Sequence, residues 1–162
     1  MQAMRTMNRK TVFSEDRIYR YVLWREWDML NSAYAMFIGL NPSTADETQD
    51  DPTIRRCIGF AKEWGFGSLC MTNLFAFRAT KPEDMKKSVD PVGQDNDYWL
   101  KECGSNAGRI IAAWGTHGCF MNRDYSIMTT VKNLKCLGKT KTGFPKHPLY
   151  LKKNCRVENY SL

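Results

Sequence analysis

The sequence predicts an α/β fold, a three-layer α/β/α sandwich around a central, mainly parallel four-stranded sheet with an additional N-terminal edge strand. Three observations predict it. Ala33 to Leu40 is apolar on both faces, as a central strand of a parallel sheet is, and Ser68 to Phe77 and Arg109 to Trp114 read alike. Between these runs the apolar residues recur at helical spacing, so strands and helices alternate along the chain. With 162 residues, 43% of them hydrophobic and 12% aromatic, the chain has room for one core and is too aromatic to be disordered.

In chain order, residues 1–12 read as a polar, weakly ordered leader and 13–162 as a single domain. Tyr19 to Trp27 alternates and is rich in aromatics, which suits an edge strand with one wet face. After the Ala33–Leu40 strand, Asp51-Pro52-Thr53 starts a helix. Asp51 is its candidate N-cap, Pro52 its first residue, and Ile54, Cys57, Ile58, Ala61 and Trp64 form its buried stripe up to Gly65. The Ser68–Phe77 strand, a helix from Pro91 to Cys103 and the Arg109–Trp114 strand follow. Ile127, Met128, Val131 and Leu134 mark another helix, Lys135 to Leu137 a short fourth strand, and Gly143 to Leu151 a proline-containing loop.

Composition narrows the function classes. The longest apolar run is under half of the ~20 residues that a membrane-spanning helix needs, and no signal-peptide core follows Met1. A cytoplasmic, non-membrane protein is expected. Six cysteines lie 13 to 33 residues apart without a C-x-x-C pair, which reads as reduced, mostly buried thiols. With only His117 and His147 besides, neither metal nor cofactor is expected. The net charge is +7, and from Tyr125 to Val157 eight basic residues occur without an acid. A segment of one sign suits a polyanion, since each cation placed on a phosphate releases a counterion. Lys139, Lys141, Lys146 and Lys152 are the candidate nucleic-acid contacts, against the alternative of a solvated basic face.

Ligands of open parallel sheets lie beyond the carboxyl ends of the strands, which selects three segments. Gly39-Leu40-Asn41-Pro42-Ser43-Thr44 breaks a buried strand with a rigid turn and sets an amide there, as a pocket floor or as a capped turn. Asn73 is polar within an apolar strand, so its amide either closes a buried network or faces a ligand. His147 sits between Pro145 and Pro148 in a basic loop and is a candidate to donate to a developing negative oxygen. His117 reads as a surface or turn residue.

These segments, with Arg109 to Gly115 between the last two, resemble the four signatures of the uracil-DNA glycosylase superfamily in their usual order. More closely, the chain resembles, from Tyr19 to Leu151, a prokaryotic and phage family catalogued as domain of unknown function 1643. The glycosylase resemblance implies that Asn41 and His147 are catalytic, Asn41 orienting water and His147 lying over a base oxygen. Asn73 would read the base, and His147-Pro148 would begin the loop that pushes into the duplex. Trp114-Gly115 would serve packing. Gly39, Leu40, Pro42, Ser43, Asn73, Phe75, Pro148, Leu149 and Tyr150 are expected around the substrate. Leu149-Tyr150 stands where many glycosylases place a serine that pinches the DNA backbone, and no iron-sulfur cysteine spacing occurs.

The expected function is hydrolysis of the N-glycosidic bond of a damaged or modified base in double- or single-stranded DNA by a monomer. Leu149 or Tyr150 is the candidate wedge. An amide cannot deprotonate water at neutral pH, so Asp46, Asp50 or Asp51 is a candidate to assist. The alternatives are a non-catalytic nucleotide or nucleic-acid binding module and a hydrolase of a free nucleoside or nucleotide.

Overall fold

The computed structural model describes residues 6–161. The strands are β1 (Asn8–Phe13), β2 (Arg20–Glu26), β3 (Tyr34–Gly39), β4 (Ser68–Asn73), β5 (Arg109–Ala112), β6 (Leu134–Cys136) and β7 (Glu158–Asn159). They form one mixed sheet in the order β1-β2-β4-β3-β5-β6-β7. The four expected strands are its centre: β4, β3, β5 and β6 run parallel, flanked on one side by β2, antiparallel to β4, with β1 antiparallel to β2 beyond it, and on the other by antiparallel β7.

The sheet is therefore larger than the four strands plus one edge that the sequence suggested. Residues 8–12 of the expected leader belong to β1; its residues 1–5 lie outside the described residues. β2 is not an edge strand, because β1 covers its outer side and β4 its inner side. Both β1 and the two-residue β7 are rich in polar residues and lack the apolar pattern that betrays a strand; their partners supply the hydrogen bonds that define them.

The helices are α1 (Pro52–Glu63), α2 (Pro82–Lys86), α3 (Asn96–Ser105) and α4 (Arg123–Thr130). α1 starts as its sequence predicts: the Asp51 side chain accepts from the Ile54 N–H at 2.9 Å and Pro52 fills the first turn. Such a cap contributes about 1 kcal/mol. Beyond its end Gly65 takes a left-handed φ of 83°, where a side chain would be strained. α3 begins later than Pro91, since Gly93 has a φ of 89° that no helix contains. α4 ends before the expected Leu134, because Val131 is extended and Asn133 is left-handed.

Alternation along the strands divides the core in two. Ala35 and Phe37 of β3 pack with Ile54, Cys57 and Ala61 of α1, whereas Met36 and Ile38 pack with Leu100 of α3 and Ile127 of α4. Helices thus lie on both faces of the sheet. One irregularity in β2 redirects two side chains. The register steps from Val12↔Val22 to Phe13↔Arg20, leaving Tyr21 over as a bulge. Tyr21 and Val22 consequently pack on the same face, and Arg20 emerges on the α1 face, where simple alternation would not put it.

Candidate functional site

The chain leaves β3 for β4 on one side and later crosses to β5 on the other, so the strand order reverses at β3. Crevices at such a reversal are where open α/β sheets bind ligands. A cavity of about 460 Å³ lies there, lined by residues that include Arg20, Gly39 to Thr44, Asp51, Thr53, Asn73, Trp114, His117, His147 and Leu149. Asn41, Asn73 and His147, which close or follow different strands, therefore share one cavity.

Each is held by a different local device. The turn after β3 is stitched to the end of β4 by Leu74 N–H to the Gly39 carbonyl and Phe75 N–H to the Leu40 carbonyl, at 2.9 and 3.0 Å. The Asn41 amide nitrogen donates to the Pro42 carbonyl at 3.1 Å and the Ala79 carbonyl at 2.9 Å, which occupies both of its hydrogens. Its Oδ1 carries no hydrogen bond within the described residues and remains an acceptor.

Asn73 is buried, and its Nδ2 has no partner among the described residues. Its carbonyl group at Oδ1 is where it is because residue 39 is glycine: a Cβ there would lie 2.7 Å from Asn73 Oδ1 and 2.9 Å from Met71 Cε. From below, Asn96 Nδ2 donates to the main-chain carbonyls of Asn73 and Leu74, both at 3.0 Å, while Arg123 donates to the Leu74 carbonyl and pairs with Asp97. The end of β4 is thus fixed through its backbone, and the Asn73 amide nitrogen is left unspent at a buried position, where an unmet donor costs about 1–3 kcal/mol.

His147 precedes a short 3-10 turn, Pro148–Tyr150, and its Nδ1 accepts from the Leu149 N–H at 3.2 Å. A ring nitrogen that accepts carries no proton, so the neutral imidazole holds its hydrogen on Nε2 and can donate it. Burial pushes His147 below the usual histidine range, opposed by the Asp51 carboxylate.

Of the three candidate acids, only Asp51 lines the cavity. Asp46 Oδ1 is taken by the N–H groups of Thr48 and Gln49 and the Thr48 hydroxyl, bonds that hold its carboxyl below the usual range. Asp50 pairs with the fully buried Arg25 at 2.7 Å and with Arg9 at 2.9 Å. Arg25 also donates to the carbonyls of Asp46 and Gln49, so that residues 46–50 are clamped together.

Two expected contacts fall away. Phe75 is fully buried in the core beside Phe120 and does not line the cavity, because the chain continues past Asn73 with the side chain turned inward. Pro148 is likewise buried and absent from the wall, since it forms the first residue of the 3-10 turn. Leu149 faces the cavity, whereas Tyr150 is 86% exposed beside His147. Lys139, Lys141, Lys146 and Lys152 are exposed and form no ion pair among the described residues, and none lines the cavity.

Sequence reasoning missed Arg20 and His117. His117, expected as a turn residue, lines the cavity, and its Nδ1 accepts from Lys86 Nζ at 3.0 Å. An ammonium only donates, so here too the proton sits on Nε2. Trp114 forms the floor, 1% exposed, under Gly118, where a Cβ would strike the indole. Among the described residues no cluster of three or more His, Cys, Asp or Glu could hold a metal, and no helix is long and apolar enough to cross a membrane.

The chain belongs to the family described as protein of unknown function (DUF1643), whose sequence model matches residues 20–149. That span contains every residue of the cavity wall, from Arg20 to Leu149. No curated protein and no solved structure matches the chain.

Proposed function

We propose that this chain hydrolyses the N-glycosidic bond of a damaged or modified base in single- or double-stranded DNA, as a cytoplasmic monomer on a three-layer, uracil-DNA-glycosylase-like fold. One observation carries the reading: Asn41, Asn73 and His147 meet in one cavity, each with a hydrogen-bonding atom unspent. Those atoms are of the kinds the reaction calls for.

As the bond from C1′ to the base nitrogen lengthens, its electron pair passes to the base and the sugar becomes cationic. His147 Nε2–H and Asn73 Nδ2–H are donors for the oxygen on which the base gathers negative charge. Asn41 Oδ1 accepts from a water and holds it toward C1′. Asp51, whose Oδ1 caps α1, has lone pairs left to take the proton as the water oxygen bonds to C1′. The base leaves as its anion and is then protonated, from Asp51 through solvent, so that the products are the free base and an abasic sugar and the carboxylate is restored.

A base inside a duplex must be extruded, at a cost of a few kcal/mol of unstacking. Tyr150, exposed next to His147, is the wedge in this reading, and Leu149 becomes part of the wall. The exposed lysines at 139, 141, 146 and 152 supply phosphate contacts.

The test is a single-turnover screen of single- and double-stranded oligonucleotides carrying uracil, hydroxymethylated or hypermodified pyrimidines, read by alkaline cleavage. Abasic sites made by the wild type and not by His147→Asn support the proposal. The Asn variant keeps an acceptor for the Leu149 N–H and removes only the Nε2 donor. Retention of DNA without product would transfer the chain to the binding-module class, and turnover confined to free nucleotides to the other hydrolase class.

A further inference from the structure

Arg20 is 2% exposed, yet its guanidinium forms no ion pair among the described residues. It makes one hydrogen bond, Nη1 to the Ala45 carbonyl at 2.9 Å, and its buried Nε has no partner. Arg25, its neighbour on the same face, shows what a structural arginine looks like here: an Asp50 carboxylate and three main-chain carbonyls satisfy it. A buried cation left with most of its donors unspent is costly unless an anion arrives.

The bulge at Tyr21 turns Arg20 to the wall of the cavity, next to the start of the 12-residue helix α1. The positive end of that helix and the Thr53 residue in its first turn face the same space, as do Ser43 and Thr44. The three hydroxyls carry no hydrogen bond within the described residues. Asp51 is the one acid on the wall; its Oδ1 is turned to the Ile54 N–H and it forms no ion pair with Arg20.

We propose that this end of the cavity is an anion subsite, in which Arg20 takes the phosphate of the bound nucleotide with help from the hydroxyls of Ser43, Thr44 and Thr53. The inference rests on the nucleotide reading of the cavity and makes it more specific: the substrate is a nucleotide held by both ends, its base at Asn73 and His147 and its phosphate at Arg20. The phosphate is either the monoester of a free nucleotide or the diester beside an extruded residue.

The experiment uses the full chain and needs no catalysis. The deoxynucleosides of uracil, cytosine, thymine, adenine and guanine and their 5′-monophosphates are titrated calorimetrically. A matched pair of oligonucleotides, one with a neutral methylphosphonate beside the target residue, forms the second arm. At least one monophosphate is expected to bind about tenfold or more tightly than its nucleoside, the worth of a charge-assisted hydrogen bond. A free-nucleotide site puts the preference in the first arm, and a polynucleotide site puts it in the second. Arg20→Met should abolish the preference and Arg20→Lys should keep part of it. Should the Met variant fail to fold, the Arg20 Nε–H resonance of the wild type, followed by NMR with inorganic phosphate as probe, must shift. Absence of a preference in both arms, or a preference that survives Arg20→Met in a folded protein, overturns the subsite. Excision without phosphate preference removes the subsite alone; phosphate preference without excision from any oligonucleotide removes the glycosylase reading alone.

Discussion

The parallel strands carry a cavity at each end, and the larger is at the amino end: about 790 Å³ between α3, α4 and the start of β5, against about 460 Å³ at the carboxyl end. Their walls differ more than their volumes. Seven buried side-chain polar atoms among the described residues have no partner. Three of them, on Arg20, Asn73 and Trp114, belong to the carboxyl-end wall and none to the amino-end wall. Unspent hydrogen bonding in a buried place is costly to keep unless water or a ligand meets it.

The largest effects that would break this contrast concern turnover. His147→Asn and Asn41→Ala should each slow single-turnover excision by ~10²-fold or more, about 2.7 kcal/mol of transition-state stabilisation, whereas Lys101→Ala and Lys132→Ala at the amino-end cavity should leave it unchanged. Equal losses at both ends would dissolve the distinction. Asn41→Ala should also lower the melting temperature, because it releases the Pro42 and Ala79 carbonyls.

Charge reversal comes next. With Lys139, Lys141 and Lys146 changed to Glu, affinity for oligonucleotides should fall and the slope of log K against log salt should flatten by about 0.7–0.9 for each phosphate no longer neutralised. An unchanged slope would separate the basic surface from the cavity's function.

Gly39→Ala probes the support beneath Asn73. The added methyl meets Asn73 Oδ1 and Met71 Cε, and such overpacking costs about 1–3 kcal/mol in chemical denaturation. Base preference should change in parallel, as in Asn73→Ala. Gly59→Ala, where a Cβ meets nothing within 4 Å, is the control and should not be destabilised.

The smallest effect is one of pH. Burial depresses His147 in the folded state, so the folded protein binds fewer protons there than the unfolded chain. The His147 contribution to stability is complete above the ordinary histidine value near 6.5 and is lost as pH falls below it through the folded pKa. Protonation also turns Nδ1 into a donor facing the Leu149 N–H. Denaturation midpoints of wild type and His147→Asn should therefore diverge only in acid; parallel curves would contradict the assigned tautomer.

The parallel strands were legible because burial on both faces forces an unbroken apolar run, as in Ala33 to Leu40. The α1 boundary was legible because a cap and a proline act over four residues. Asn41, Asn73 and His147 stood out for a related reason: each is a polar residue at the end of an apolar run or between prolines, and the rule for parallel sheets gathers strand ends on one edge.

Other features depend on partners far away in the chain. β1 and β7 exist through the strands beside them. Arg20 reaches the cavity only because a bulge shifts β2 by one residue, and alternation read along the sequence assigns it to the other face. Of Asp46, Asp50 and Asp51, only Asp51 reaches the cavity wall, because Arg25 and Arg9 hold Asp50 and a local turn holds Asp46 elsewhere. By itself the sequence determined which strands form the centre of the sheet and which edge collects the polar residues, since both follow from local pattern and chain direction. Only the tertiary structure decided which buried donors stay unspent, because a hydrogen bond depends on what the rest of the chain brings within about 3 Å.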